Sequence, residues 1–351
     1  MKIIHTADVH LGASPDMGYP WEAERSASLW RIFENLIEKA RREKPGLLLI
    51  SGDLFHYIPS LDELREVNYL FSKIPETTVV LCAGNHDCIK DGNPYARFNW
   101  GPNVVGLWSR ELMSVPIPQK NVRVYGLSYY DNEADKDLYA GAKREGNEKY
   151  HILLLHGGDA KHSPVKKNAL MAMDFDYIAM GHIHKPGYVI KNKAVYSGAL
   201  SPADRLDAGK HGYVSVDISE YGTRAEFVPF SPFEYIDMAV YSDEADTVGS
   251  LEDKIKAEIN ARGKDNSYRI TVKGSGSAAG RLRLNRLWEC GHVLEINDMT
   301  SPDLDISALA QRYKGTLLGE YIQKLSGRTD ETGRYALNEG VRVILEAMEQ
   351  E

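Results

Sequence analysis

The sequence predicts a layered α/β fold, and three features carry that expectation: short apolar runs, amphipathic segments between them, and a polar cluster at the end of each run. The runs are Lys2 to Ala7, Leu47 to Ser51, Val79 to Ala83, His151 to Leu155 and Tyr177 to Met180. Leucine-rich or β-branched stretches of this length, closed by Gly, Asp or Asn, are the pattern of strands buried on both faces. Between the first two runs, Leu29, Ile32, Phe33, Leu36, Ile37 and Ala40 recur at helical spacing, and Leu61 to Ile74 forms a second amphipathic helix before the third. Strands alternating with crossover helices run parallel. If they share one sheet, their carboxyl ends lie along one edge, where open α/β folds place ligands.

The remaining elements follow in order. Asp91 to Asn121, with Pro94, Pro102, Pro116 and Pro118, reads as a long irregular connection able to frame a substrate groove. Tyr213 to Ile218 and Arg224 to Val228 read as strands, and Pro229-Phe230-Ser231-Pro232 as a boundary. Beyond it come a strand at Tyr235 to Tyr241, a helix at Leu251 to Ala261 and a strand at Tyr268 to Lys273, followed by Gly274-Ser275-Gly276-Ser277 as a flexible break. The tail carries one helical stripe, Ile306, Leu309, Ala310, Tyr313, Leu317, Tyr321 and Leu325, and a shorter one, Leu337, Val341, Ile344, Leu345 and Met348. Such stripes either dock on the protein's own surface or await a partner.

At 351 residues the chain is too long for one ordinary domain, and 43% hydrophobic with 26% charged residues fits a soluble globular protein without internal repeats. No apolar run approaches bilayer length and Met1-Lys2 leads straight into a strand, so a cytoplasmic protein without membrane association is expected. Cys82, Cys88 and Cys290 show no paired spacing and are expected as reduced thiols; a thiolate ligand role for Cys88 fits poorly with hard donors. A formal charge of -8 repels a phosphate backbone at long range. Nucleic-acid binding would therefore rest on local cations: Lys161, Lys166, Lys167, Arg205, Lys210, Arg281, Arg283 and Arg286, each otherwise an ordinary solvated charge.

The polar clusters are Asp8-Val9-His10, Gly52-Asp53, Gly84-Asn85-His86-Asp87, His156-Gly157-Gly158 and Gly181-His182-Ile183-His184. Taken singly, an Asp or His at a strand end is usually a turn or cap residue. Together they form a set of hard oxygen and imidazole donors suited to a pair of divalent cations sharing one carboxylate. Such a pair acidifies water, clamps a phosphate and stabilises the leaving oxygen in an in-line displacement. His5, His151, His162, His211 and His292 lack this context and read as core or surface histidines.

In this order the clusters resemble the calcineurin-like metallophosphoesterases, over roughly the first two thirds of the chain. The resemblance implies a two-sheet β-sandwich flanked by helices, with Asp8, His10, Asp53 and His184 on a first metal and Asp53, Asn85, His156 and His182 on a second, Asp53 bridging. By the same carry-over, His86 is catalytic, facing the scissile phosphate. Ile4 to Gly12, Gly52-Asp53-Leu54-Phe55-His56 and Tyr196 to Pro202 further resemble the SbcD and YhaO type of DNA-repair nuclease, in which the position of His56 assists that of His86. That similarity implies residues 1–230 as a catalytic domain, 231–300 as an α/β capping domain and 301–351 as C-terminal helices. It also implies two manganese ions, with iron or zinc as substitutes, DNA ends or single strands as substrate, and a coiled-coil ABC-type ATPase as partner. A homodimer is left open, as are a small nucleotide phosphodiester as substrate and a scaffold that only binds DNA or the ATPase.

Overall fold

The computed structural model describes residues 1–90, 93–243, 245–276, 284–302, 304–328 and 330–349. The chain divides into two compact units, Met1–Glu234 and Tyr235–Glu351.

In the first unit the strands, in chain order, are β1 (Lys2–Thr6), β2 (Leu47–Ser51), β3 (Thr78–Cys82), β4 (Val104–Gly106), β5 (Met113–Ile117), β6 (Val122–Gly126), β7 (Tyr150–His156), β8 (Tyr177–Gly181), β9 (Gly187–Ile190), β10 (Ala194–Tyr196), β11 (Gly212–Ser219) and β12 (Gly222–Pro229). They form two six-stranded sheets, ordered β12-β11-β1-β2-β3-β4 and β5-β6-β7-β8-β10-β9. The two sheets that the resemblance implied are present, and the motif strands divide between them rather than sharing one sheet: β1, β2 and β3 lie parallel in one, β7 and β8 parallel in the other. The period-two geometry of a strand explains why both faces are apolar. In β2, Leu47 and Leu49 join Val80, Val124, Ile152, Leu154 and Ala179 in a core shared by strands of both sheets, whereas Leu48 and Ile50 pack with helical residues.

Those helices are α1 (Glu22–Glu43), which buries the Leu29 to Ala40 stripe, and α2 (Leu61–Ser72), which buries Leu64, Val67, Leu70 and Phe71. The α2 start is fixed by a capping box in which the Ser60 hydroxyl accepts the Glu63 N–H while the Glu63 carboxylate accepts the Ser60 N–H. A third, short helix, α3 (Lys167–Ala172), follows β7. The segment expected to be irregular contains β4 and β5 as well as loops; Pro116 sits in β5, where the sheet order makes that strand an edge that tolerates a missing N–H. Asp91 of that segment lies outside the described residues.

The second unit has a three-stranded parallel sheet of β13 (Tyr235–Ser242), β14 (Ser267–Gly276) and β15 (His292–Pro302), with α4 (Val248–Arg262) burying Leu251, Ile255 and Ile259 against Met238, Ile270 and Val272. Gly274 to Gly276, expected as a flexible break, continues β14 in register with β15, because the ladder hydrogen bonds are available regardless of side chain. Ser277, Arg281 and Arg283 lie outside the described residues. The first tail stripe is two helices, α5 (Ile306–Arg312) and α6 (Leu317–Leu325), split where Gly315 takes φ 79° and Thr316 caps the next turn. Leu318 and Ile322 of α6 pack with Leu337 and Val341 of α7 (Glu331–Glu349), so much of both stripes is covered within this unit.

Among the described residues no helix is long and apolar enough to cross a membrane. The three cysteines are unpaired, and burial pushes the Cys88 thiol up, away from a thiolate.

Candidate metal centre

The loops leaving β1, β2, β3, β7 and β8 meet at one place and are stitched by backbone hydrogen bonds. Asp8 N–H donates to the Gly52 carbonyl (3.1 Å) and His10 N–H to the Asp53 carbonyl (3.1 Å). The buried Asp87 carboxylate accepts from Gly84 (2.7 Å), Leu54 (3.0 Å) and Phe55 (3.3 Å), tying the Asp53 loop to the Asn85 loop. Close approach demands glycine. A Cβ on Gly52 (φ 88°) would lie 2.3 Å from His156 Nδ1, and one on Gly84 would lie 2.2 Å from Asp53 Oδ1.

Every residue predicted to ligate a metal arrives there. Asp8, His10 and His184 bring ligand atoms within 4.8 Å of one another, as do Asp53, His156 and His182. Asp53 Oδ2 lies 3.9 Å from His10 Nε2 in the first group and 3.4 Å from His156 Nε2 in the second, the position a bridging carboxylate needs. Asn85 Oδ1 sits 2.9 Å from His156 Nε2 and 3.1 Å from His182 Nδ1, completing the second group.

The donors fit a pair of divalent cations. Asp8, His10 and Asp53 adopt φ of 49°, 50° and 51°, and His182 adopts 91°, left-handed conformations that cost about 1–3 kcal/mol each without a glycine. Carboxylates, imidazoles and an amide oxygen are hard or borderline donors suited to manganese, iron or zinc. The catalytic candidates stand beside this set. His86 Nδ1–H donates to the His56 carbonyl (3.1 Å), which leaves Nε2 for a substrate. The His56 ring stacks on His86 (centroids 4.8 Å apart, 29° between planes), and its Nδ1 lies 3.3 Å from His10 Nδ1.

The family model of calcineurin-like phosphoesterases matches residues 1–186. The chain belongs to that family. Family membership brings metal-dependent phosphoester hydrolysis, and the His and Asp groups above are among those that could hold a metal ion. A relative in Bacillus subtilis (strain 168), described as an uncharacterized metallophosphoesterase YhaO, is 24% identical over 303 residues, covering 78% of this chain and 72% of its own.

The electrostatics of this phosphoesterase site are set by burial and by charge pairing. Burial opposes ionisation of Asp53, but the charges of His156 and His10, with the His156 hydrogen bond, hold its carboxyl far below the usual range. Burial likewise pushes His156 down, while Asp53 and Asp8 pull it up to about 9; His184, also opposed by burial, is pulled up to about 9 by Asp207 and Asp8. Desolvation takes His182 down to about 4 and raises Asp8 to about 6.

The structure adds residues that the sequence reading passed over. Asp207 meets His184, and Asp159 meets both His182 and His162. Asp159 follows His156 by three positions, a usable signal; Asp207 sits in the loop before β11, where no pattern marks it. The other unassigned histidines found structural partners, such as His5 with Tyr177 Oη (2.8 Å) and His151 with Tyr125 Oη (2.8 Å). Of the expected cations, Lys161 pairs with Glu133 (3.3 Å) and Arg286 with Glu252 (2.9 Å), Arg205 lies 5.7 Å from the Tyr19 ring centre, and Lys166, Lys167 and Lys210 are exposed.

Proposed function

We propose that this chain is a two-metal phosphodiesterase that hydrolyses DNA phosphodiester bonds, with manganese as its metal, and that it serves as the nuclease subunit of a DNA-repair complex with a coiled-coil ABC-type ATPase. The observation that carries the reading is the stacked His56–His86 pair set beside the shared carboxylate of Asp53. Asp8, His10, Asp53 and His184 would hold one ion and Asp53, Asn85, His156 and His182 the other; when bound, the ions would supply positive charge to the phosphate and acidify the attacking water.

The chain's own groups do the rest. The His86 backbone N–H donates to Asp53 Oδ1 (2.9 Å), which fixes the turn that aims its side chain. With Nδ1–H committed to the His56 carbonyl, Nε2 is the atom that protonates or stabilises the leaving oxygen. His56 positions both neighbours, its carbonyl holding His86 and its ring touching His10. His at this place matches the repair-nuclease resemblance. Exposed Lys166, Lys167 and Lys210 are cations available to a DNA backbone. The C-terminal helices are the segment proposed to meet the ATPase.

A second reading, a nucleotide or other small phosphodiester as substrate, is favoured by the net charge of -8 and by the neutralisation of Lys161 and Arg286 in ion pairs. One experiment separates them: manganese-dependent digestion of labelled linear duplex and single-stranded DNA beside a small chromogenic phosphodiester. Cleavage of DNA supports the nuclease; cleavage of the small ester alone supports the second reading. Binding of metal and DNA with hydrolysis of neither leaves only a scaffold.

A further inference from the structure

We infer that Asp207 and Asp159 are positioning residues, one for each metal of the pair, that set metal affinity by holding the far nitrogen of a ligand histidine. The inference rests on the metal assignment made above and extends it to two carboxylates outside the motifs.

The geometry is parallel at the two ends of the centre. His184 presents Nε2 inward, 3.0 Å from His10 Nε2, while its Nδ1–H donates to Asp207 (2.9 Å to Oδ2). His182 presents Nδ1 inward, 3.1 Å from Asn85 Oδ1, while its Nε2–H donates to Asp159 Oδ2 (2.8 Å). A neutral imidazole has one N–H, so committing that hydrogen outward fixes the tautomer and turns the remaining lone pair toward the ion. The inward atoms are of opposite kind in the two rings. A ligand histidine in the wrong tautomer would aim an N–H at the cation.

Each carboxylate is itself held. Asp207 Oδ2 accepts the backbone N–H groups of Ala203 and Asp204 (3.0 Å each) and the side chain is only 11% exposed. Asp159 Oδ1 accepts the N–H groups of Lys161 and His162 (2.8 Å each), its carboxylate is shared with His162 Nδ1 (2.9 Å), and it is 44% exposed. The more buried, unshared carboxylate polarises its histidine in a drier setting, so Asp207 carries the larger effect.

Asp159, His162 and His182 also bring ligand atoms within 4.8 Å of one another, which raises an ion between them as the rival explanation. Such an ion would require His182 to bind through both ring nitrogens as an imidazolate. The orienting role needs no deprotonation beyond neutral histidine.

The test is equilibrium dialysis of the full chain against graded manganese, with elemental analysis, the paramagnetic resonance signal of a coupled manganese pair, and thermal unfolding of the metal-free proteins. Wild type is expected to bind two ions. Asp207→Ala should weaken one ion by about 100-fold and Asp159→Ala the other by about 10-fold, the range for lost outer partners of metal-bound histidine. Asp207→Asn and Asp159→Asn, which keep an acceptor without the charge, should recover part of the loss while metal-free melting temperatures stay together. Wild type binding no pair would remove the metal assignment itself. Two ions in wild type with unchanged affinity in both Ala variants, or a third ion lost in Asp159→Ala, would overturn the orienting role alone.

Discussion

Replacing His86 by alanine should remove the chemistry and leave the metals. Its side chain is in neither of the two groups that meet at Asp53, although it brings a ligand atom within 4.8 Å of His10 and His56, and its contact with the Asp53 carboxylate is made by the backbone N–H, 2.9 Å from Oδ1, which alanine retains. What disappears is a side chain whose Nδ1–H is spent on the His56 carbonyl and whose Nε2 is the proposed donor toward the leaving oxygen. A positioned general acid contributes about 10²–10⁴ in rate, which at about 1.4 kcal/mol per decade is roughly 3–5 kcal/mol of activation free energy. The assay is single-turnover cleavage of labelled DNA under saturating manganese, with metal content measured on the same sample. A substrate control sharpens it. An ester whose leaving group departs as a stable phenolate needs no proton, so the loss on it should be at least about tenfold smaller than on a sugar alcohol leaving group. A His86→Ala protein that lacks manganese, or that loses equal rate on both esters, would refute the assignment of His86 as acid and make it a structural or metal-holding group.

Two further outcomes follow from the same geometry. Asp53→Ala should lose both ions and depress turnover more than any other single ligand change, because Oδ2 faces His10 and His156 together; two retained ions or wild-type turnover after reloading counts against a bridge. His5 gives a pH test remote from the metal chemistry: burial lowers its pKa to about 3, so the folded state stays neutral while the unfolded chain binds a proton below about 6.5. Stability should therefore fall as pH drops through that window, by about 2 kcal/mol at about pH 5 from this group. Urea unfolding of metal-free wild type and His5→Gln at about pH 7.5 and about pH 5 should show the smaller loss in the variant, and parallel losses would refute the idea.

The strands and the polar clusters that follow them were legible in the sequence for a local reason. A strand buried on both faces must be a short apolar run, and a turn that presents a carboxylate or imidazole at its end must carry polar residues and glycine immediately afterwards. Asp8, His10, Asp53, Asn85, His156, His182 and His184 could thus be marked as candidates without coordinates, the division between two metals coming from the resemblance, and α1 and α2 could be read from their spacing. Tertiary structure decided what no local pattern encodes. Apolar runs do not state which sheet they join, so only the fold parts β1, β2 and β3 from β7 and β8. Hydrophobic periodicity does not see a left-handed glycine, so the break between α5 and α6 was hidden in a continuous stripe. Asp207 and Asp159 each lie 23 positions from the histidine they hold, and a carboxylate–imidazole contact of 2.8–2.9 Å depends on the folded path of the intervening loops rather than on spacing. Local chemistry marks the candidate ligands, while a carboxylate such as Asp207 reaches His184 only because the chain returns there.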